Sequence, residues 1–394
     1  MAYYSSNRSN GRHFLQIPGP TNVPDRVLRA MDNPTMDHRG PDFGVLGKRV
    51  LGKLGPVFGT TGPVIIFPAS GTGAWEAALV NTLSPGDAVL MCETGWFAHL
   101  WREMAGRLGL EARLLETDWR RGADVEAIAA ALRADAGQAI KAVCVVHNET
   151  STGCTSRIAE VRAAMDAAGH PALLLVDTIS SLGSVKFEHD AWGVDVTVAG
   201  SQKGLMLPPG LSFNAVSEKA LAASKSATSV RSFWDWGPML AANATGYFPY
   251  TPATNMLYAL DTALDMLEEE GLDEVFARHD RHGEATRRAV RRWGLEIQCD
   301  DPRHFSPVLT AVRVPEGHSA NGLRSAILER FDMSLGNGLG RLNDRVFRIG
   351  HLGALNDLSL LGALGGVEMG LRVAGVPHAA GGVAAAMDYL SGNA

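Results

Sequence analysis

Cysteine is scarce in this chain. Four in 394 residues, Cys92, Cys144, Cys154 and Cys299, stand far apart with no CxxC pair, which excludes a zinc site and a disulfide framework. The expected compartment is therefore the cytoplasm. Long hydrophobic runs are also missing: none approaches the roughly 18 apolar residues of a membrane helix, and the polar start MAYYSSNRSNGRHF has no signal-peptide core. Charge of one sign does not accumulate either. With 36 Lys+Arg against 42 Asp+Glu the net charge is −6, without the basic blocks of a nucleic-acid or membrane-surface binder. A small-molecule ligand is expected. GxGxxG and Walker lysine motifs are absent, which disfavours a nucleotide.

Apolar residues make up 46% of the chain, enough for a sizeable core. The runs PVIIFP, AVLMC, ARLLE, AVCVVH, ALLLVD and VTVAG read as buried strands. They alternate with amphipathic segments at 73–83, 98–108, 125–134 and 158–168. That order predicts an α/β fold, with helices on both faces of a largely parallel sheet and ligands beyond the carboxyl ends of its strands. From about residue 256 two long helical patterns precede the strand-like LEIQC, PVLTAVRV and RVFRIGHLG, a smaller α+β domain. The expected division is an arm at 1–20, a large domain at 21–255 and a small domain at 256–394.

Three features could carry chemistry. FPASGTGAWEAAL is a strand end, a glycine-rich turn and a helix start, where Ser70, Gly71 and Thr72 offer hydroxyl and N–H donors to an anion, or simply make a tight turn. LLLVDTISSLGS puts Asp177 at the end of an apolar strand, where a carboxylate wants a partner or caps the next turn. VAGSQKGLMLPPG holds Lys203 among small and apolar residues one strand later, at the same sheet edge. Apolar surroundings disfavour the ammonium form, so the amine becomes a nucleophile toward carbonyls. An anion turn, a carboxylate and a reactive amine match the phosphate, ring nitrogen and aldehyde of pyridoxal phosphate.

With IPGPTNVP, VVHNETSTG, GYFPYTP and VFRIGHLG in the same order, the chain resembles the class V aminotransferases of fold type I, specifically the serine–glyoxylate and alanine–glyoxylate group. The resemblance implies a mainly parallel seven-stranded sheet, pyridoxal phosphate and a homodimer with shared active sites. It implies ping-pong transfer of an amino group to glyoxylate, with serine the favoured donor and alanine or aspartate the alternatives. Lys203 then matches the lysine that bonds the cofactor aldehyde, Asp177 the partner of the pyridine nitrogen, and Ser70, Gly71, Thr72, Ser201 and Gln202 the phosphate site. Phe97 matches the aromatic over the ring, with Trp96 beside it, and Thr150, or else Thr152, a hydroxyl near the ring oxygen. Arg348 matches the α-carboxylate clamp. Thr251, with Tyr247 and Tyr250 nearby, matches a contact across the dimer, and His38 and Arg39 border the substrate in the other subunit's site. A desulfurase would need a mobile nucleophilic cysteine late in the chain, for which Cys299 is the candidate; in a nucleotide-binding α/β protein Lys203 would be incidental.

Overall fold

The computed structural model describes residues 11–392; residues 1–10 of the expected arm lie outside the described residues. In chain order the strands are β1 (Phe14–Gln16), β2 (Val64–Phe67), β3 (Ala88–Glu93), β4 (Glu111–Glu116), β5 (Ile140–Val146), β6 (Asn148–Glu149) and β7 (Cys154–Thr155). They continue as β8 (Leu173–Asp177), β9 (Val196–Gly200), β10 (Ser212–Val216), β11 (Glu296–Ile297), β12 (Leu309–Arg313), β13 (Met333–Asn337) and β14 (Val346–Gly350). The central sheet has seven strands in the order β2-β10-β9-β8-β5-β3-β4. All are parallel except β10.

Helices α1 (Asp25–Met31) and α2 (Pro41–Phe58) lead into the sheet, and α3 (Gly71–Thr82), α4 (Trp96–Arg107), α5 (Val125–Ala134) and α6 (Ile158–Ala167) connect its strands. Next come α7 (Glu218–Ser224), α8 (Trp236–Asn243), α9 (Thr254–Glu270) and α10 (Leu272–Trp293). Because successive side chains on a strand point to opposite faces, the LLLV run of β8 serves two cores. Leu175 packs with Leu79 of α3, Trp101 of α4 and Trp236 of α8, whereas Leu174 and Val176 pack with Ile128 of α5 and Val161 of α6. Burial on both faces is why these strands read as continuous apolar runs.

Three local expectations change. ARLLE is not buried: β4 is an edge strand paired only with β3, and its middle residues are half-exposed. LEIQC contributes only Glu296–Ile297 to a strand. β10, broken by Ser212 and Asn214, gave no apolar run, yet every residue in it is buried. Asn214 is tolerated there because its amide donates to the Ala74 carbonyl at 3.1 Å and accepts from the Trp236 indole at 3.3 Å.

The smaller sheet has the order β1-β13-β14-β12-β11. Around it lie α11 (Ala320–Phe331), α12 (Asp357–Val373) and α13 (Gly382–Leu390). Residues 14–16, part of the expected arm, are its edge strand, with Phe14 opposite Met333. The expected change of domain, between residues 255 and 256, falls in the first turn of α9, whose Leu257, Leu260, Leu264 and Leu267 pack on Val27 of α1 and on Phe43 and Leu54 of α2. Each fully buried leucine there is worth roughly 1.5–3 kcal/mol relative to exposure. The core changes partway along α10, where Val275 joins α9 and the residues from Ala285 to Trp293 join the small sheet.

Candidate active site

The parallel strands β2, β5, β8 and β9 end at one edge of the sheet, and the residues just beyond them line one cleft. Ser70, Gly71 and Thr72 follow β2, Asn148 and Thr150 follow β5, Asp177 ends β8, and Gln202 and Lys203 follow β9; Phe97 enters from α4. Ser70 does not cap α3 with its side chain, and Ser70 and Thr72 are exposed residues. The start of α3 therefore presents N–H groups and the positive end of the helix dipole to the cleft. Gln202 is half-buried, and its buried Oε1 has no partner among the described residues.

Lys203 is 8% exposed, and its Nζ donates to the Pro18 carbonyl at 2.5 Å. The next residue, Gly19, has φ +100°, and a Cβ there would lie 2.4 Å from Nζ, so only glycine leaves room for the amine. Burial, reinforced by the Arg348 charge and opposed by Asp177, pushes the amine down to about 7. Asp177 is 3% exposed. Burial pushes its carboxyl up to about 7, against hydrogen bonds from the Ile179 N–H at 2.6 Å and the Trp75 indole at 3.0 Å; Glu149 adds to the rise and Lys203 opposes it. Both groups sit in the range where an acid or base exchanges protons at neutral pH.

Arg348 lies on β14 of the small sheet, 6% exposed, yet its charge reaches Lys203. Its Nε donates to the Asn337 carbonyl at 2.7 Å and its Nη1 to the Thr150 carbonyl at 2.8 Å; Nη2 makes no hydrogen bond among the described residues. The guanidinium is therefore oriented with one amino group to spare. Burial lowers its pKa to about 10, which leaves it charged at neutral pH.

Several expected residues are not brought into this cleft. The Ser201 hydroxyl donates to the Pro208 carbonyl at 2.8 Å and accepts from the Leu211 N–H at 3.1 Å, so the turn after the lysine consumes it. Trp96 stacks on His99 with centroids 5.0 Å apart. Thr152 is fully buried and bonds the Glu149 carbonyl. His38, Arg39 and Thr251 do not line the cleft; His38 and Thr251 meet each other, Nε2 to Oγ1 3.5 Å apart. Tyr247 bonds the Gly40 carbonyl, and Tyr250 stacks on Phe233 with its hydroxyl on that residue's carbonyl. Cys299 is buried at 2% exposure, outside the cleft, with its thiol against the Asp301 carbonyl and Cys154. That removes the mobile thiol a desulfurase would need.

A larger groove runs past Asp118, Arg121, Asp124 and Arg303. Its arginines are already paired, Arg121 with Asp300 and Arg303 with Asp301, so it gathers no free groups on one point. Sequence reasoning missed Trp75, which lines the smaller cleft, and Glu149, which stands behind it. Trp75, one turn into α3, and Glu149, between VVHN and TSTG, both passed unremarked, although a fully buried glutamate is rare.

Known proteins of one family resemble the chain in sequence and in fold. The model of the family described as aminotransferase class-V matches residues 13–322. The serine–glyoxylate aminotransferase of Methylorubrum extorquens is 51% identical over 99% of this chain and 98% of its own. The L-aspartate–glyoxylate aminotransferase of Paracoccus denitrificans is 46% identical over 95% of each. The crystal structure of ureidoglycine–glyoxylate aminotransferase from Bacillus subtilis superposes with a TM-score of 0.90 at 27% identity, covering 98% of this chain and 99% of that one.

Proposed function

The chain belongs to the class V aminotransferase family, and we propose that it transfers the amino group of a small amino acid, serine by preference, to glyoxylate. The observation that carries this reading is the meeting of Lys203, Asp177, Phe97 and the uncapped start of α3 in one cleft. Serine is favoured by the 51% identity to the Methylorubrum enzyme. Aspartate is the second reading, supported by the 46% identity to the Paracoccus enzyme.

The family implies pyridoxal phosphate, and the cleft suits it. The α3 N-terminus with Ser70 and Thr72 beside it suits a phosphate, Asp177 a ring nitrogen and Lys203 an aldehyde. Phe97 would cover the ring, and Thr150 would meet its hydroxyl. When bound, the cofactor supplies a carbonyl carbon for amines and a ring that accepts electrons.

The rest falls to side chains of the protein. Lys203, with its pKa near 7, has a neutral fraction able to attack a carbonyl and to take a proton from the substrate Cα. Asp177 would hold a proton on the ring nitrogen, and Trp75 and the Ile179 N–H keep its oxygens aimed. Arg348 would bind the α-carboxylate through its spare amino group and fix the direction of the Cα–H bond. His38, Arg39 and Thr251 lie away from Lys203 of their own chain, as residues lent to a second subunit's site would; a homodimer is part of the proposal.

The test is a panel of small amino acids with glyoxylate, following glycine and the oxoacid together. Serine should give the highest kcat/KM. Turnover best with aspartate would move the reading to the second donor, and none with any amino acid would end it.

A further inference from the structure

Helix α4 begins without a cap of its own. Its N-cap is Gly95, which has no side chain to offer, so the N–H groups of the first turn need acceptors from elsewhere. The hairpin residues supply them. The Ser151 hydroxyl accepts from the Trp96 N–H at 2.9 Å, and the Glu149 carboxylate accepts from the N–H groups of Phe97 at 3.4 Å and Ala98 at 3.1 Å. Glu149 also accepts from the N–H and hydroxyl of Ser151 at 3.0 and 2.6 Å. Every group bonded to the carboxylate is a donor, the surroundings of an anion at a helix N-terminus.

The fit is tight enough to dictate its neighbour: a Cβ on Gly95 would lie 2.3 Å from Glu149 Cγ and 2.5 Å from Ser151 Oγ. Between these two capping residues stands Thr150, which lines the cleft and whose carbonyl accepts from Arg348. One turn of chain thus touches the helix that carries Phe97 and the arginine of the small sheet.

We propose that Glu149 is a positioning residue: by capping α4 from across the cleft wall it seats the Phe97 ring, while the turn it anchors seats Arg348. This rests on the functional reading above, in which Phe97 covers the cofactor and Arg348 holds the substrate carboxylate. Glu149 touches neither. It fixes the distance between the two walls that do, and a neutral amide cannot replace it, because Gln would turn one of its own N–H groups toward a backbone donor.

The test is a double-mutant cycle on the dissociation constant of pyridoxal 5'-phosphate, measured by quenching of intrinsic fluorescence in apoprotein, with Glu149→Gln and Phe97→Leu. Glu149→Gln should raise the constant by about tenfold, the scale of one buried charge-assisted bond. Phe97→Leu added to it should do little more. In the same variant KM for serine should rise at least as much as kcat falls. Additive effects of the two substitutions, or an unchanged dissociation constant, would overturn the proposal. Should Glu149→Gln not fold, Ser151→Ala, which removes the Trp96 acceptor and one donor to the carboxylate, replaces it under the same criteria. Wild-type apoprotein that binds no pyridoxal phosphate would overturn the functional reading as well; binding without coupling overturns only the role of Glu149.

Discussion

Trp75 donates its indole N–H to Asp177 at 3.0 Å, from the same helix whose N-terminus opens on the cleft. Its ring lies on Trp101, 5.8 Å between centroids and 13° from parallel, so the donor is held by packing. Trp75→Phe keeps most of that stack and deletes the bond. A hydrogen bond to a charged group is worth about 1.5–3 kcal/mol, so kcat for serine should fall about tenfold or more with cofactor content unchanged. A kcat within twofold of wild type would remove Trp75 from the mechanism.

Lys203 and Asp177 make the apoprotein's stability depend on pH in opposite senses. Burial lowers Lys203 from 10.5 to about 7, so between those values the unfolded chain holds a proton that the folded one has released, and stability rises with pH. Asp177 is raised from 3.8 to about 7; in that window the folded chain holds the extra proton, and stability falls as pH rises. Urea unfolding of apoprotein at pH 5, 7 and 9 checks both. Relative to wild type, Lys203→Met should gain as much at pH 5 as at pH 7 and least at pH 9, and Asp177→Asn should gain more at pH 7 than at pH 5.

Buried histidines set the acid limit. His147 and His189 are lowered from 6.5 to about 4 and His279 to about 3, chiefly by burial. As pH falls below 6.5 the unfolded imidazoles take up protons while the folded ones do not, and each then costs stability down to its folded pKa. Asp177 and Glu149 pull the other way, so the measurement is a difference. The urea midpoint of wild type relative to His189→Gln should decline between pH 6.5 and 4; a constant offset would contradict this.

Arg348→Lys retains a charge but not the fork that bonds Asn337 and Thr150 while sparing one amino group. KM for both serine and glyoxylate should rise by about 10- to 100-fold, the loss of a charge-assisted bond, while the visible absorption of the bound cofactor persists. Loss of that colour would make Arg348 a support of the fold instead.

Much of this arrangement was readable in advance because buried strands announce their ends. LLLVD and VTVAGSQK fix where β8 and β9 stop, and with them the shared edge of Asp177 and Lys203. Side-chain direction was not readable. Whether Ser201 faces the cleft or the Pro208 carbonyl depends on how the loop to β10 folds back, and whether the Trp75 indole reaches Asp177 depends on how α3 lies across the sheet. Glu149 escaped notice for a similar reason: its partners are backbone N–H groups some fifty positions away, which leave no mark on the local pattern.

The carbonyl of Pro18 holds the Lys203 amine, and three residues before Gly19 the same segment is zipped to β13, the neighbour of Arg348's own strand. A stretch that composition alone would mark as trimmable is therefore part of the site's floor. Shortening the protein past residue 20 would remove the amine's resting place and expose the edge of the small sheet in one cut.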